Sequence, residues 1–298
     1  MSPPQPAGHC VINGQLLPLA EARISPLDLG FLRGIGVFET LRTYDGHPHA
    51  LADHLQRLWQ AARVFGVSEL FSEREARAWI RALRQLCPDS ELHINIIVTP
   101  GIVGEGVFGT SGPATWVLIA RPLRPHPAAF YEQGLTVITH RVAAEEQRIF
   151  PTLKTTSYVS GFVPLARARA AAAHEALYVL PDGCLSEGVT SNVLLRRGDW
   201  VSTPPAHRCL PGITLSRLRP IAESLGLRWR SAELQLADLY SADEVWLSSS
   251  LREVLPVVRV DDRPIGDGRI GAWWPRLHAA YRQHCLESAR AEAAAAGA

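Results

Sequence analysis

Apolar and polar residues alternate from Val37 to Tyr44, the period of a strand with one face buried. Asp45-Gly46 follows and forms a turn. Residues 11–17 read as an extended pair around a second turn, Asn13-Gly14, and residues 92–98 and 115–120 read as further strands. Two stretches change period. Residues 52–64 place Leu55, Leu58, Trp59 and Ala62 on one helical face, and residues 72–86 form a second amphipathic helix with Ser72 as its N-cap. The first part of the chain is therefore α+β.

Residues 121–127 carry Pro122, Pro125 and Pro127, which favour a stiff extended connector. The pattern predicts a small N-terminal α+β domain over residues 1–120, a linker over 121–134, and a large domain over 135–298. The large domain opens with a strand at 135–140, followed by an Ala/Arg-rich helix at 160–173. Strands at 176–180 and 192–195 flank the turn Pro181-Asp182-Gly183. A helix at 215–225 ends at Gly226, a C-cap position, a buried strand follows at 244–248, and a closing helix at 273–285. The alanine-rich tail, 289–298, is expected to fray. No internal repeat is present.

Composition narrows the function classes. The 298 residues are 47% apolar, enough for a sizeable core. With 30 basic and 29 acidic side chains the net charge is +1, so bulk electrostatics point to neither nucleic acid nor a membrane surface. The five cysteines are scattered without CxxC or Cys/His ligand spacing, which argues against zinc and for reduced thiols in the cytoplasm. The first eight residues lack a signal-peptide pattern, and no apolar run reaches the roughly 18 residues of a spanning helix. The expectation is a soluble, cytoplasmic protein.

The distribution of basic residues is more telling. Arginine occupies 29 of the 30 basic positions, and the one lysine is Lys154. A lysine amine loses its proton when buried or placed beside another cation, whereas arginine does not. Codon bias accounts for the missing lysines but not for where the survivor sits.

Four other segments carry chemistry, each with a bland alternative. Leu210-Pro-Gly-Ile-Thr214 opens a helix, whose terminal N–H groups suit a phosphate, or is an ordinary Thr N-cap. Ser248-Ser249-Ser250 ends a strand, as a second phosphate cradle or a serine-rich loop. Arg57 lies beside the apolar stripe of its helix, as a phosphate fork or a surface arginine. Glu187 lies in a segment joining two strands, as a partner for a protonated pyridine nitrogen or a solvated turn residue.

Taken in order, these segments resemble the class IV, or fold type IV, pyridoxal-phosphate family of branched-chain aminotransferases, D-amino-acid aminotransferases and aminodeoxychorismate lyases. The resemblance runs from about residue 11 to about residue 281. It is carried by Arg33-Gly-Ile-Gly-Val-Phe-Glu-Thr-Leu-Arg42, His54-Leu-Gln-Arg-Leu58, Leu153-Lys-Thr-Thr-Ser-Tyr158, Glu187-Gly-Val-Thr-Ser-Asn192, Leu210-Pro-Gly-Ile-Thr214, Ala242-Asp-Glu-Val245 and Glu253-Val-Leu-Pro-Val257. It implies two domains, the larger with a β-barrel-like core, with pyridoxal 5′-phosphate between them, and a homodimer. It also implies roles. Lys154 is the Schiff-base lysine and the proton carrier, and Glu187 the pyridine-nitrogen partner. Arg57, Ile213, Thr214, Ser249 and Ser250 hold phosphate, Tyr158 contacts the phenolic oxygen, and Phe38 and Glu39 lie near the substrate.

Within the family, Phe38-Glu39-Thr40 is more like the lyase and D-amino-acid branches, since branched-chain enzymes usually have glycine at Thr40. Residues 260–271 resemble the aminotransferases. The arginine that members often carry after the strand at 92–99 is replaced by Pro100 in Thr99-Pro100-Gly101, and residues 102–108 lack the Arg and His of the D-amino-acid enzymes. Arg42 and His93 are the candidates to replace them, with Phe38 and Thr40 completing the substrate pocket. The reading is an aminotransferase acting by a ping-pong mechanism. The alternatives are 4-amino-4-deoxychorismate lyase, releasing pyruvate and 4-aminobenzoate, and a family member that binds cofactor without catalysis. No metal is expected.

Overall fold

The computed structural model describes residues 8–144 and 151–297. They divide into two compact units, one drawn from Met1–Arg124, Leu153–Ser157 and Cys285–Ala298, the other from Pro125–Thr152 and Tyr158–His284. The sequence pattern draws each domain as one continuous stretch. By contacts, the lysine segment and the C-terminal segment instead group with the first unit.

The first unit is built on a six-stranded antiparallel sheet in the order Gln15–Pro18, His9–Ile12, Thr115–Pro122, Leu92–Thr99, Val37–Tyr44, His47–Pro48. Both predicted hairpin turns form, with positive φ at Asn13, Gly14, Asp45 and Gly46 as tight two-residue loops require. Alternation along Val37–Tyr44 and Leu92–Thr99 sends Val37, Leu41, Ile94, Ile96 and Val98 into the core. There they meet Leu55, Leu58 and Trp59 of helix Leu51–Ala62 and Ile80 and Leu83 of helix Glu73–Gln85. Ser72 caps the latter helix in a reciprocal capping box with Glu75.

The second unit is built on a nine-stranded mixed sheet that curls as a half-barrel. Its order is Leu185–Gly188, Glu175–Val179, Leu135–Arg141, Glu253–Val260, Glu244–Ser249, Asn192–Arg197, Trp200–Thr203, Arg228–Ser231, with Arg263–Pro264 paired to Glu253–Val260. Glu175–Val179 and Leu185–Gly188 are buried along their whole length, and Glu244–Ser249 nearly so. Glu175–Val179 and Glu244–Ser249 have almost no solvent face, which explains the apolar runs at 176–179 and 245–247.

Four local expectations change. The stretch around Glu187 is not a plain connector, because Leu185–Gly188 is itself a strand. The helix expected at 215–225 starts at Ile213, two residues early. The strand before the serines runs to Ser249, so only Ser250 of the three lies in the turn. The tail does not fray: helix Trp273–Gly297 is continuous. Cys285 and Ala289 are buried, and Glu292 accepts from the Ala50 N–H at 3.3 Å and pairs with Arg77 at 3.0 Å. A run of alanines reads as weakly anchored only while those tertiary partners are unknown.

Candidate functional site

In the first unit the strand Val37–Tyr44 organises the chemistry. The Phe38 N–H donates to the Lys154 carbonyl at 2.9 Å, and the Thr156 N–H donates to the Gly36 carbonyl at 2.9 Å. The lysine segment is thereby clipped along the start of the strand as an antiparallel bridge, Val37 opposite Thr155. Lys154 Nζ lies 4.5 Å from the centroid of the Phe38 ring, in cation–π range. Phe38, Thr40 and Arg42 share one face of the strand, and His93 is the cross-strand partner of Arg42. Thr40 Oγ1 accepts from Asn95 Nδ2 at 2.8 Å, and the Arg42 guanidinium stacks 4.4 Å over Tyr44. The four predicted pocket residues therefore lie on one partly open sheet face.

Glu39 points the other way. It is 1% exposed, and its carboxylate receives Arg57 Nε at 2.6 Å, Arg57 Nη2 at 2.7 Å and His54 Nδ1 at 2.7 Å. Burial pushes the Glu39 carboxyl up, but the charge and hydrogen bonds of Arg57, with those of His54, outweigh it and hold its pKa at about 2. Arg57 is thus no surface arginine, and Glu39 is no member of the face that carries Phe38. The signal for this lay in the alternation itself, which puts a carboxylate at an inward position that only a cation can satisfy.

In the second unit Glu187 is 6% exposed. Its Oε2 accepts from the Leu210 N–H at 3.0 Å and from Asn192 Nδ2 at 3.3 Å. Asn192 Nδ2 also donates to the Leu210 carbonyl at 2.9 Å, so one carboxamide joins the Glu187 strand to the Leu210–Thr214 segment. Gly212 is the N-cap of helix Ile213–Ser224, and no side chain caps that end. A Cβ at Gly212 would sit 1.9 Å from Asn192 Oδ1, so only glycine lets the segment close on Asn192. Thr214 is not the N-cap: it lies inside the first turn, buried, where its Oγ1 is 3.5 Å from the Tyr281 hydroxyl. Ser249 and Ser250 are half-buried at the hairpin that leads into Glu253–Val260, and the buried Ser248 Oγ has no hydrogen-bond partner among the described residues. The Tyr158 hydroxyl donates to the Val189 carbonyl at 2.6 Å.

This chemistry fits a phosphorylated pyridine cofactor. A buried carboxylate steered by an N–H and a carboxamide suits a ring N–H, and an uncapped helix start beside a buried threonine suits a phosphate. Asn192 falls within a sequence motif without a role predicted for it; its signal is a polar residue directly before the buried apolar run Val193–Leu195. A cavity of about 510 Å³ in the second unit is lined by His140, Val142, Tyr178 and Ser186 among others, but by none of the residues predicted to bind the cofactor. Ser186 precedes Glu187 on a strand and so faces the other way. Among the described residues no group of three or more His, Cys, Asp or Glu side chains is placed to hold a metal, and no helix is long and apolar enough to cross a membrane.

Residues 36–260 match the family model described as amino-transferase class IV. The aminodeoxychorismate lyase of Bacillus subtilis (strain 168) is 28% identical over 255 residues, 84% of this chain and 86% of the relative. The branched-chain-amino-acid aminotransferase of Escherichia coli (strain K12) is 29% identical over 289 residues, 92% of each chain. The crystal structure of a T.th. branched-chain amino acid aminotransferase with pyridoxamine 5′-phosphate superposes with a TM-score of 0.87 at 26% identity, covering 95% of both chains.

Proposed function

Because the chain belongs to the class IV aminotransferase family, we propose that it moves an amino group between an amino acid and a 2-keto acid, in two ping-pong half-reactions, with pyridoxal 5′-phosphate as cofactor. The observation that carries this reading is the chain's single lysine, held by backbone hydrogen bonds to a strand with its amine over the Phe38 ring. When bound, the cofactor supplies an electron sink for negative charge developing at the substrate Cα. Lys154 Nζ takes up and returns the proton at that carbon. Glu187 accepts the pyridine N–H and keeps the ring protonated. The Ile213 N–H, Thr214, Ser249 and Ser250 hold the phosphate. Arg57 contributes to it only through N–H groups outside its fork with Glu39. Tyr158 reaches the phenolic oxygen as a donor only if its hydroxyl leaves the Val189 carbonyl. Phe38, Thr40, Arg42 and His93 form a substrate-facing wall.

Titration of the purified chain with pyridoxal 5′-phosphate tests this directly. A visible absorbance band fixed onto Lys154 by borohydride, with amino-group exchange between pyruvate and members of a panel of D- and L-amino acids, is expected. Lys154→Ala should lose the band and lower turnover by at least ~10²–10⁴-fold, the range of general acid–base catalysis. The second reading is the lyase, favoured by the 28% identical Bacillus subtilis relative. Release of pyruvate and 4-aminobenzoate from aminodeoxychorismate, without amino-group exchange, would replace the first reading by it. A band without either reaction would leave a cofactor-binding protein that does no catalysis.

A homodimer and a cytoplasmic location belong to the same proposal. The Val103 N–H donates to the Leu27 carbonyl, bringing segment 27–31 beside the hairpin that carries Val107 and Phe108. Phe31 is 76%, Val107 65% and Phe108 68% exposed, the kind of apolar surface that a second subunit covers. None of the five cysteines forms a disulfide among the described residues, the usage of a reducing compartment.

A further inference from the structure

One buried carboxylate of the second unit has no part in the scheme above. Glu175, at the start of Glu175–Val179, is fully buried. Its Oε2 accepts from Arg252 Nη1 at 3.1 Å, from Ser191 Oγ at 3.5 Å and from Thr190 Oγ1 at close range. Its Oε1 accepts from the Ala176 N–H at 3.1 Å.

The side-chain donors come from two different turns. Thr190 and Ser191 belong to the turn between Leu185–Gly188 and Asn192–Arg197, three and four residues after Glu187. Arg252 belongs to the hairpin between Glu244–Ser249 and Glu253–Val260, two residues after Ser250. The fit is close. A Cβ at Gly188 would meet Ser191 Oγ at 2.4 Å and Glu175 Cγ at 3.3 Å, so a larger residue would push the first turn off the carboxylate. Arg252 reaches in from a side chain that is 23% exposed, and among the described residues it is the cation paired with Glu175.

We propose that Glu175 and Arg252 are positioning residues, a buried ion pair that holds the Ser250–Arg252 turn in register with the Thr190–Ser191 turn and so presets the Ser249 and Ser250 donors for the cofactor phosphate. The inference rests on the phosphate role given to those serines under the proposed function. A hairpin turn with few anchors opens locally at little cost. A charge-assisted hydrogen bond from the turn to a fully buried carboxylate raises that cost. Without Arg252 the carboxylate stays buried against neutral donors, and the turn loses its tie to Glu175.

The test uses the full-length chain freed of cofactor, titrated calorimetrically with pyridoxamine 5′-phosphate and with unphosphorylated pyridoxamine. The ratio of the two dissociation constants reports what the phosphate contributes. Arg252→Met is expected to shrink that ratio roughly tenfold, about the worth of one charge-assisted hydrogen bond, with pyridoxamine affinity unchanged. Arg252→Lys, which keeps the charge, should recover part of it. A merely structural pair would lower the melting temperature and weaken both ligands alike. An unchanged ratio in Arg252→Met therefore overturns the proposal whatever the melting temperature does. If Arg252→Met does not fold, Arg252→Gln carries the same comparison. A wild-type chain that binds both ligands equally would instead sink the phosphate reading beneath it, an outcome visible before any variant is made.

Discussion

The two sheets carry their chemistry in different places. In the six-stranded sheet, predicted pocket residues sit in mid-strand: Phe38, Thr40 and Arg42 alternate with buried Val37, Glu39 and Leu41. In the nine-stranded sheet the strands that carry Glu187 and the serines are buried on both faces, and the residues proposed to hold the cofactor lie at or beside element ends: Glu187 next to the last residue of its strand, Ile213 and Thr214 at a helix start, and Ser249 and Ser250 where a strand passes into a turn. A one-sided sheet can devote half of its side chains to function without touching the core. A two-sided sheet cannot, so function moves to where strands stop. The first arrangement makes face residues tolerant of change. The second makes glycines and turn-locking side chains intolerant of it.

The largest expected effect comes from the residue that crosses this division in the first sheet. Glu39→Ala leaves Arg57 and His54 facing a void where the buried carboxylate was, and should destabilise the chain by about 3–5 kcal/mol, the usual cost of breaking a buried pair. Chemical denaturation measures it. A pH series provides a second check. The folded-state pKa of Glu39, about 2, lies below its ordinary value of 4.5, so its contribution is full above pH 4.5 and is lost as pH falls towards 2. On the order of 3 kcal/mol is at stake over that window, and Glu39→Gln should flatten this part of the stability profile.

A smaller effect is expected in the turns of the second sheet. Gly212→Ala forces its methyl against Asn192 Oδ1 and should cost ~1–3 kcal/mol by overpacking, with weaker binding of pyridoxamine 5′-phosphate. Adding Asn192→Ala removes the clash, so the double variant should regain stability relative to the sum of the single changes. Strict additivity would show that the close approach of Gly212 to Asn192 is not what requires glycine there.

The smallest change in stability is expected on the open face. Thr40→Val keeps shape, loses the bond from Asn95, and should stay within about 1 kcal/mol of wild type. Its effect should appear instead in the KM for the amino donor. A large loss of stability with unaltered KM would assign Thr40 to the core and erase the contrast between the sheets.

Much of this was legible from residue order. Alternation located Val37–Tyr44 and Leu92–Thr99 to within a residue, because a one-sided strand writes its burial into its own sequence. Ser72 was legible as an N-cap for the same reason: a cap acts over three residues. The single lysine stood out because few residue types can do that chemistry, whereas the Gly-Ile-Thr phrase told only through its order among the other motifs. The end of the C-terminal helix was not legible, because its stability comes from contacts with Ala50, Arg77 and Asp45, more than two hundred positions away.

Sequence alone therefore determined the strand faces and the chemically capable side chains, since these follow from local period and residue type, and the order of its motifs carried the resemblance to the family. Only the tertiary structure decided which carboxylate pairs with which cation. Glu39 found Arg57 across a strand–helix contact, and Glu175 found Arg252 from 77 residues away. Such pairings depend on register and burial across the fold, and a buried charge takes whichever partner packing brings within reach.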